Sequence, residues 1–242
     1  FSAVVPGLKA GVRYGLRADG PWQPEAGHRF DPSKLLVDPY AVRLDRAFSY
    51  DPRLGIFGED TQSIVPKAIL EPPLTPLNPR RPTSEAGGLI YEIPVRAFTQ
   101  LHPDVPEADR GTLRALAHPS IIEHLRKLHV SAVELMPIAA WIDERHLPPL
   151  GLSNAWGYNP VTMMALDPRL APGGISDLRH VVDALHAADI GVILDVVFNH
   201  TGESDSDGPT LSLRGLGNAT YYRHDQHTPG TLINDTGCGN TL

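Results

Sequence analysis

Two apolar runs, Val130 to Met136 and Ile190 to Val197, most restrict the folds open to this chain. Runs this continuous are expected of strands covered on both faces, as in a parallel sheet. Each is preceded by a stretch of helical character. Pro119 to Leu128 has proline in its first turn, with Ile121, Ile122, Leu125 and Leu128 at helical spacing. Ser176 reads as the N-cap of a second helix, with Asp177 in its first turn and Leu178, Val181, Val182 and Leu185 on its apolar face. Leu89 to Ile93 supplies an earlier strand. The order is βαβαβ, with parallel strands and right-handed crossovers expected.

The loops after the second and third strands are long. In a (β/α)8 barrel such loops rise from the C-terminal face, where sites are built. An open doubly wound sheet is the competing architecture. No glycine-rich phosphate turn follows any of the strands, which disfavours a nucleotide-binding version.

The N-terminal part differs in character. Ala3–Val5, Val12–Ala18 and Leu35–Val37 read as short strands between the turn signals Pro6-Gly7 and Asp19-Gly20-Pro21. They suggest the closing strands of an immunoglobulin-like β-sandwich over residues 1–50. Six prolines between Pro66 and Pro82 favour an extended connector, so 51–87 is assigned as linker and 88–242 as the α/β part.

No apolar run approaches the roughly 18 residues that cross a membrane. The formal net charge of -7, with no basic block, argues against a nucleic-acid partner. The single cysteine, Cys238, excludes an internal disulfide and fits a reducing, cytoplasmic setting. HExxH, paired CxxC and P-loop patterns are absent, so zinc-hydrolase and NTPase readings lack support. Phe1 in place of an initiator methionine is expected of a chain that begins within a longer protein or after processing.

Chemistry concentrates at Asp195-Val196-Val197-Phe198-Asn199-His200. A carboxylate within an apolar strand costs free energy unless it is paired or hydrogen-bonded. Three polar residues at one strand terminus point to a site rather than to a turn cap.

This segment resembles the third-strand signature of the α-amylase superfamily, and Ala132–Pro137 resembles its second strand. Gly151-Leu-Ser-Asn-Ala-Trp-Gly-Tyr-Asn-Pro160, Gly208–Gly215 and Thr236–Leu242 resemble the isoamylase-type and glycogen debranching members. So do Arg110-Gly111-Thr112 with His118-Pro119, and Gly27–Pro32 with Lys34–Tyr40. The resemblance implies a partial (β/α)8 TIM barrel, its first three strands, preceded by a glucan-binding module. It implies retaining hydrolysis of α-1,6 branch linkages in branched α-glucan (glycogen or limit dextrin). Isoamylase and maltooligosyltrehalose trehalohydrolase are the neighbouring possibilities, and a non-catalytic glucan-binding protein is the alternative outside the enzymes.

The implied substrate-binding residues are Tyr158, as a stacking platform beside Trp156, then His200, Asp195 and Asn199. In this family the nucleophilic Asp and the acid Glu follow the fourth and fifth strands. Both are expected beyond Leu242, in which case the chain would be an N-terminal fragment, inactive alone. Asp143 and Glu144 read as a solvated surface pair, and Asp205 and Asp207 as turn formers. Asn199 binds calcium in some relatives, but debranching enzymes often omit it, so neither metal nor cofactor is expected. Ala155 stands where the family usually carries Tyr, Ala97 where it usually carries Gly, and Pro94 where it often carries His in the first strand.

Overall fold

A computed structural model describes residues 4–76 and 87–242. Turn-forming residues break the N-terminal part into very short ribbons. β1 (Arg13–Tyr14), β2 (Trp22–Gln23), β3 (His28–Arg29) and β4 (Ala68–Ile69) pair antiparallel, β1 with β4 and β2 with β3. The strand expected over Val12–Ala18 is therefore reduced to β1 and one bridge between Leu16 and Leu36. Leu35–Val37 contributes that bridge rather than a strand. Val4 and Val5 belong to no strand and are exposed, and Ala3 lies outside the described residues. Pairing stops where Asp19-Gly20-Pro21 turns the chain, because proline offers no N–H to a ladder.

What these ribbons lack in pairing they gain in packing. Leu35, Val37, Leu44, Phe48, Leu54 and Val65 share a buried cluster with Ala140, Ile142, Val161, Ala165 and Leu211. One core thus joins residues on both sides of the proline-rich stretch, of which 77–82 lie outside the described residues.

The sheet expected from the apolar runs is present. β5 (Leu89–Ile93), β6 (Val130–Leu135) and β7 (Gly191–Leu194) lie in that order, all parallel. Pro94 does not enter the ladder. It ends β5 and leads into a short helix, α1 (Val95–Thr99), so the missing N–H costs no strand pairing. α2 (Pro119–Lys127) begins with the His118 ring accepting from the Ser120 N–H. α3 (Ile175–Ala187) starts two residues earlier than expected. Its N-cap is Gly174 at φ 66°, and Ser176 lies inside the helix, donating to the Gly173 carbonyl at 2.8 Å. Asp177, in the first turn, reaches back past the N-cap and accepts from the Gly173 N–H at 2.6 Å. His129 and Asp189 turn the chain from helix to strand at φ 55° and 60°.

Ile121 and Leu125 of α2, with Leu178, Val181 and Leu185 of α3, close one face of the sheet over Ile93, Val133 and Leu135. Each such burial stabilises by about 1.5–3 kcal/mol. The other face is open. Alternation and register place Glu92, Glu134 and Ile193 side by side on it, and Asp195 lies on the same face two residues past Ile193. The third strand is therefore not covered on both faces. Ile193 is exposed on this uncovered face of the edge strand, and Val196 and Phe198, past the end of β7, are exposed too.

α4 (Leu213–Tyr221) was not legible in the sequence, since Gly215 and Gly217 weaken its helical pattern. Several contacts hold it, among them the Asn218 amide donating to the Gly27 carbonyl at 2.9 Å. The buried Glu203 carboxylate accepts from the N–H groups of Leu211, Ser212 and Arg214 at 2.6–2.8 Å, capping the helix. Gly215 rests against Leu36 so closely that a Cβ there would lie 2.4 Å from a leucine methyl.

Candidate functional site

The loop after β6 carries Tyr158 toward the loop after β7, and Asn154 shapes it. The Asn154 side-chain oxygen accepts from the N–H groups of Trp156 and Gly157, both at 2.9 Å. Its own N–H donates to Asp143 and its amide nitrogen to Glu144, again at 2.9 Å. Asp143 and Glu144 are therefore half-buried supports of this turn, not a solvated surface pair. Among the described residues the second Glu144 oxygen is buried without a hydrogen-bond partner. Gly157 is required on two counts. It has φ 80°, and a Cβ there would lie 2.6 Å from the Pro137 carbonyl oxygen.

So delivered, the Tyr158 phenol donates to Asp195 Oδ2. Asp195 is held in turn by its N–H, which donates to the Leu135 carbonyl at 3.0 Å and extends the parallel pairing one residue past β7. The phenol is pushed up to about 12, first by the bond to Asp195, then by burial and by the negative charges of Asp195, Glu92 and Glu134. It stays a neutral donor throughout the physiological range.

His200 is only 6% exposed. Its Nε2 lies 2.8 Å from the Tyr158 carbonyl oxygen, which can only accept, so Nε2 carries a proton and donates. Its Nδ1 is 2.8 Å from the Asn199 side-chain oxygen. Tyr158, Asp195, Asn199 and His200 thus form one connected group, assembled from two loops. Trp156 stands beside them with its ring edge-on to Tyr158, centroids 6.5 Å apart, and is 69% exposed. A cavity of about 150 Å³ lies under it, lined in part by Pro94, Arg96, Ala155 and Arg169.

A larger cavity of about 630 Å³ is lined by Asn159 and Gly202, close in sequence to Tyr158 and His200, and by Arg145, Asp205 and Cys238. Tyr158 and His200 are not among its lining residues. Asp205 accepts from the Asp207 N–H at 3.0 Å, as expected of a turn former. It also takes both guanidinium nitrogens of Arg145 at 2.7 Å, and this pairing, against the opposing effect of burial, holds its carboxyl below the usual carboxylate range. Among the described residues no group of three or more His, Cys, Asp or Glu side chains is placed to hold a metal ion.

Sequence reasoning left three residues of this region without a role. Glu203 and Tyr222 form a buried hydrogen bond of 2.5 Å, and Asn240 pairs with the backbone of Thr201. An acidic residue three positions past His200 was the available signal for Glu203. Asn240 sits in the Thr236–Leu242 motif but carried none of its own.

No family model matches the chain. The glycogen debranching enzyme of Yersinia enterocolitica is 49% identical over 250 aligned residues, covering 98% of this chain. The chain spans 38% of that relative's length. Among solved structures, the catalytic module of the glycogen-degrading pneumococcal virulence factor SpuA aligns with a TM-score of 0.63 at 24% identity, over 86% of this chain and 30% of that one. The type I pullulanase of Bacillus subtilis, complexed with maltose, aligns at 0.61 and 24% identity, over 87% and 29%. A putative α-amylase from Salmonella typhimurium aligns over 98% of this chain and 30% of that one, with a TM-score of 0.59 and 20% identity. These structural likenesses show a common α/β fold. By its sequence the chain is similar, over nearly its whole length, to part of a glycogen debranching enzyme.

Proposed function

We propose that the protein carrying this chain hydrolyses α-1,6 branch linkages of glycogen or limit dextrin with retention, and that this chain supplies the sugar-positioning wall of the cleft. The connected group of Tyr158, Asp195 and His200 at the ends of β6 and β7 carries the reading. An aromatic face suits the apolar face of a pyranose, and Asp195 fixes that ring from behind. In this reading β5, β6 and β7 are the first three strands of a (β/α)8 barrel, and residues 1–50 close a β-sandwich glucan-binding module.

Retaining hydrolysis needs two carboxyl groups about 5 Å apart, one attacking the anomeric carbon and one protonating the leaving oxygen. Asp195 is committed to Tyr158, so we place the nucleophile and the acid on strands beyond β7, and the chain alone is inactive. The test joins this chain to the remaining length of the Yersinia relative and assays release of maltooligosaccharides from limit dextrin, with the anomeric form of the product read by NMR. A folded fusion that releases none, or releases the inverted anomer, overturns the proposal.

A second reading, glucan binding without chemistry, draws on the fact that the whole Tyr158 group lies within this chain. Cooperative unfolding and retention on glycogen by the 242-residue chain favour it.

A further inference from the structure

Thr201 directly follows His200, and its polar groups are engaged from several sides. Its N–H donates to Asn240 Oδ1 at 3.0 Å, and its carbonyl accepts from Asn240 Nδ2 at 2.9 Å. A single amide side chain thus behaves toward Thr201 as the backbone of a neighbouring strand would. Leu242 N–H donates to the Asn199 carbonyl at 3.1 Å, so residues 240 and 242 face residues 201 and 199 in antiparallel fashion. The same Asn240 Nδ2 reaches the Ser204 carbonyl at 2.9 Å, and Asn240 is fully buried.

The Thr201 hydroxyl is fixed as well. Tyr222 lies 2.5 Å from Glu203 Oε2, and a carboxylate can only accept, so the phenol donates there. The Thr201 hydroxyl, 2.6 Å from the Tyr222 oxygen, must then be the donor of that pair. Thr201 is locked by backbone and side chain together, one residue from an imidazole that donates to the Tyr158 carbonyl.

We propose that Asn240 is a positioning residue for the glucan site: it clamps Thr201, and through Thr201 it sets the His200 ring and the height of the Tyr158 backbone. The inference rests on reading the Tyr158 group as glucan-binding. In Asn240→Ala only water could reach these groups, without the fixed reach of the amide between the Thr201 N–H and the two carbonyls. Asn240→Asp keeps the acceptor for the Thr201 N–H but turns a second oxygen toward the carbonyls of Thr201 and Ser204, so it is as disruptive as removal.

The test compares Asn240→Asp, Asn240→Ala and Asn234→Ala in the full chain. Asn234 lies on the same segment, and its amide oxygen accepts instead from the Gly239 N–H at 2.8 Å. Two readouts are taken: the imidazole Nε2–H resonance of His200, and maltotetraose affinity followed by tryptophan fluorescence. Both Asn240 variants are expected to shift the resonance and weaken maltotetraose about tenfold, with Asn234→Ala changing neither. An unmoved His200 resonance in a folded Asn240 variant overturns the clamp, as does an equal shift in Asn234→Ala. If the unaltered chain fails to bind maltotetraose, the glucan reading fails, and the His200 resonance alone then decides the clamp.

Discussion

The Tyr158 phenol and the Asp195 carboxylate, 37 residues apart in the chain, meet in a direct hydrogen bond at the open end of the parallel sheet. The bond orients the ring and removes one carboxylate oxygen from any other role. It also sets how the phenol titrates. Because its pKa rises from the ordinary 10 to about 12, its contribution to stability is fully present below pH 10 and is lost as pH climbs through about 12. An alkaline difference spectrum at 295 nm should show one fewer late-titrating tyrosine in Tyr158→Phe. Tyr14, also pushed to about 12 by burial and its bond to Asp38, remains as the internal reference.

Glu203 is a buried carboxylate with four hydrogen-bond donors around it. Three backbone N–H groups and the Tyr222 phenol converge on it, next to the buried Arg214. Glu203→Gln presents an amide N–H₂ to some of those donors and weakens the acceptor that the others keep. We expect a loss of about 3 kcal/mol in urea denaturation, with the helix Leu213–Tyr221 losing amide-exchange protection first. A loss below about 1 kcal/mol would contradict this account.

Leu185 contacts the closed face of the sheet from α3 and has no exposed surface. Leu185→Ala should cost about 2–5 kcal/mol, from lost transfer energy and the cavity left behind. Leu128→Ala, at a half-exposed helix end, should cost well under half as much. Equal shifts in the two denaturation midpoints would mean that α3 does not pack as described.

The cavity of about 150 Å³ beneath Trp156 reaches Ala155. Ala155→Tyr places an aromatic ring at this cavity, next in sequence to Trp156. Calorimetry with maltotetraose should show tighter binding by about 0.5–1.5 kcal/mol, the usual worth of an added aromatic contact. Unchanged affinity with an unchanged fold would place Ala155 outside the sugar path.

The three parallel strands and two of their helices were readable because their apolar periodicity is long and each helix start is marked, at Pro119 and near Ser176. The gathering of Asp195, Asn199 and His200 was readable because three polar residues interrupt an apolar run. The N-terminal strands were over-read: alternation in Val12–Ala18 reflects packing of Gly15 against Leu35 more than ladder pairing. Asp143 and Glu144 looked solvated because their partner, Asn154, lies about ten residues away and meets them only through a turn. The full burial of Ile190–Val197 failed for a different reason, since strand order, not residue type, decides which strand lies at an edge. Asn240 was invisible because nothing in a sequence marks an amide that replaces a strand.

The open face of the sheet carries Glu92 and Glu134 side by side and Asp195 one step farther along, and all three bear on Tyr158. Such a surface is a preformed electrostatic cradle for positive charge. Nitrogen-containing sugar mimics that are protonated at neutral pH should therefore bind this wall more tightly than the neutral sugars they copy. Their advantage should shrink as salt is added, while the neutral sugars, held by stacking, should scarcely notice.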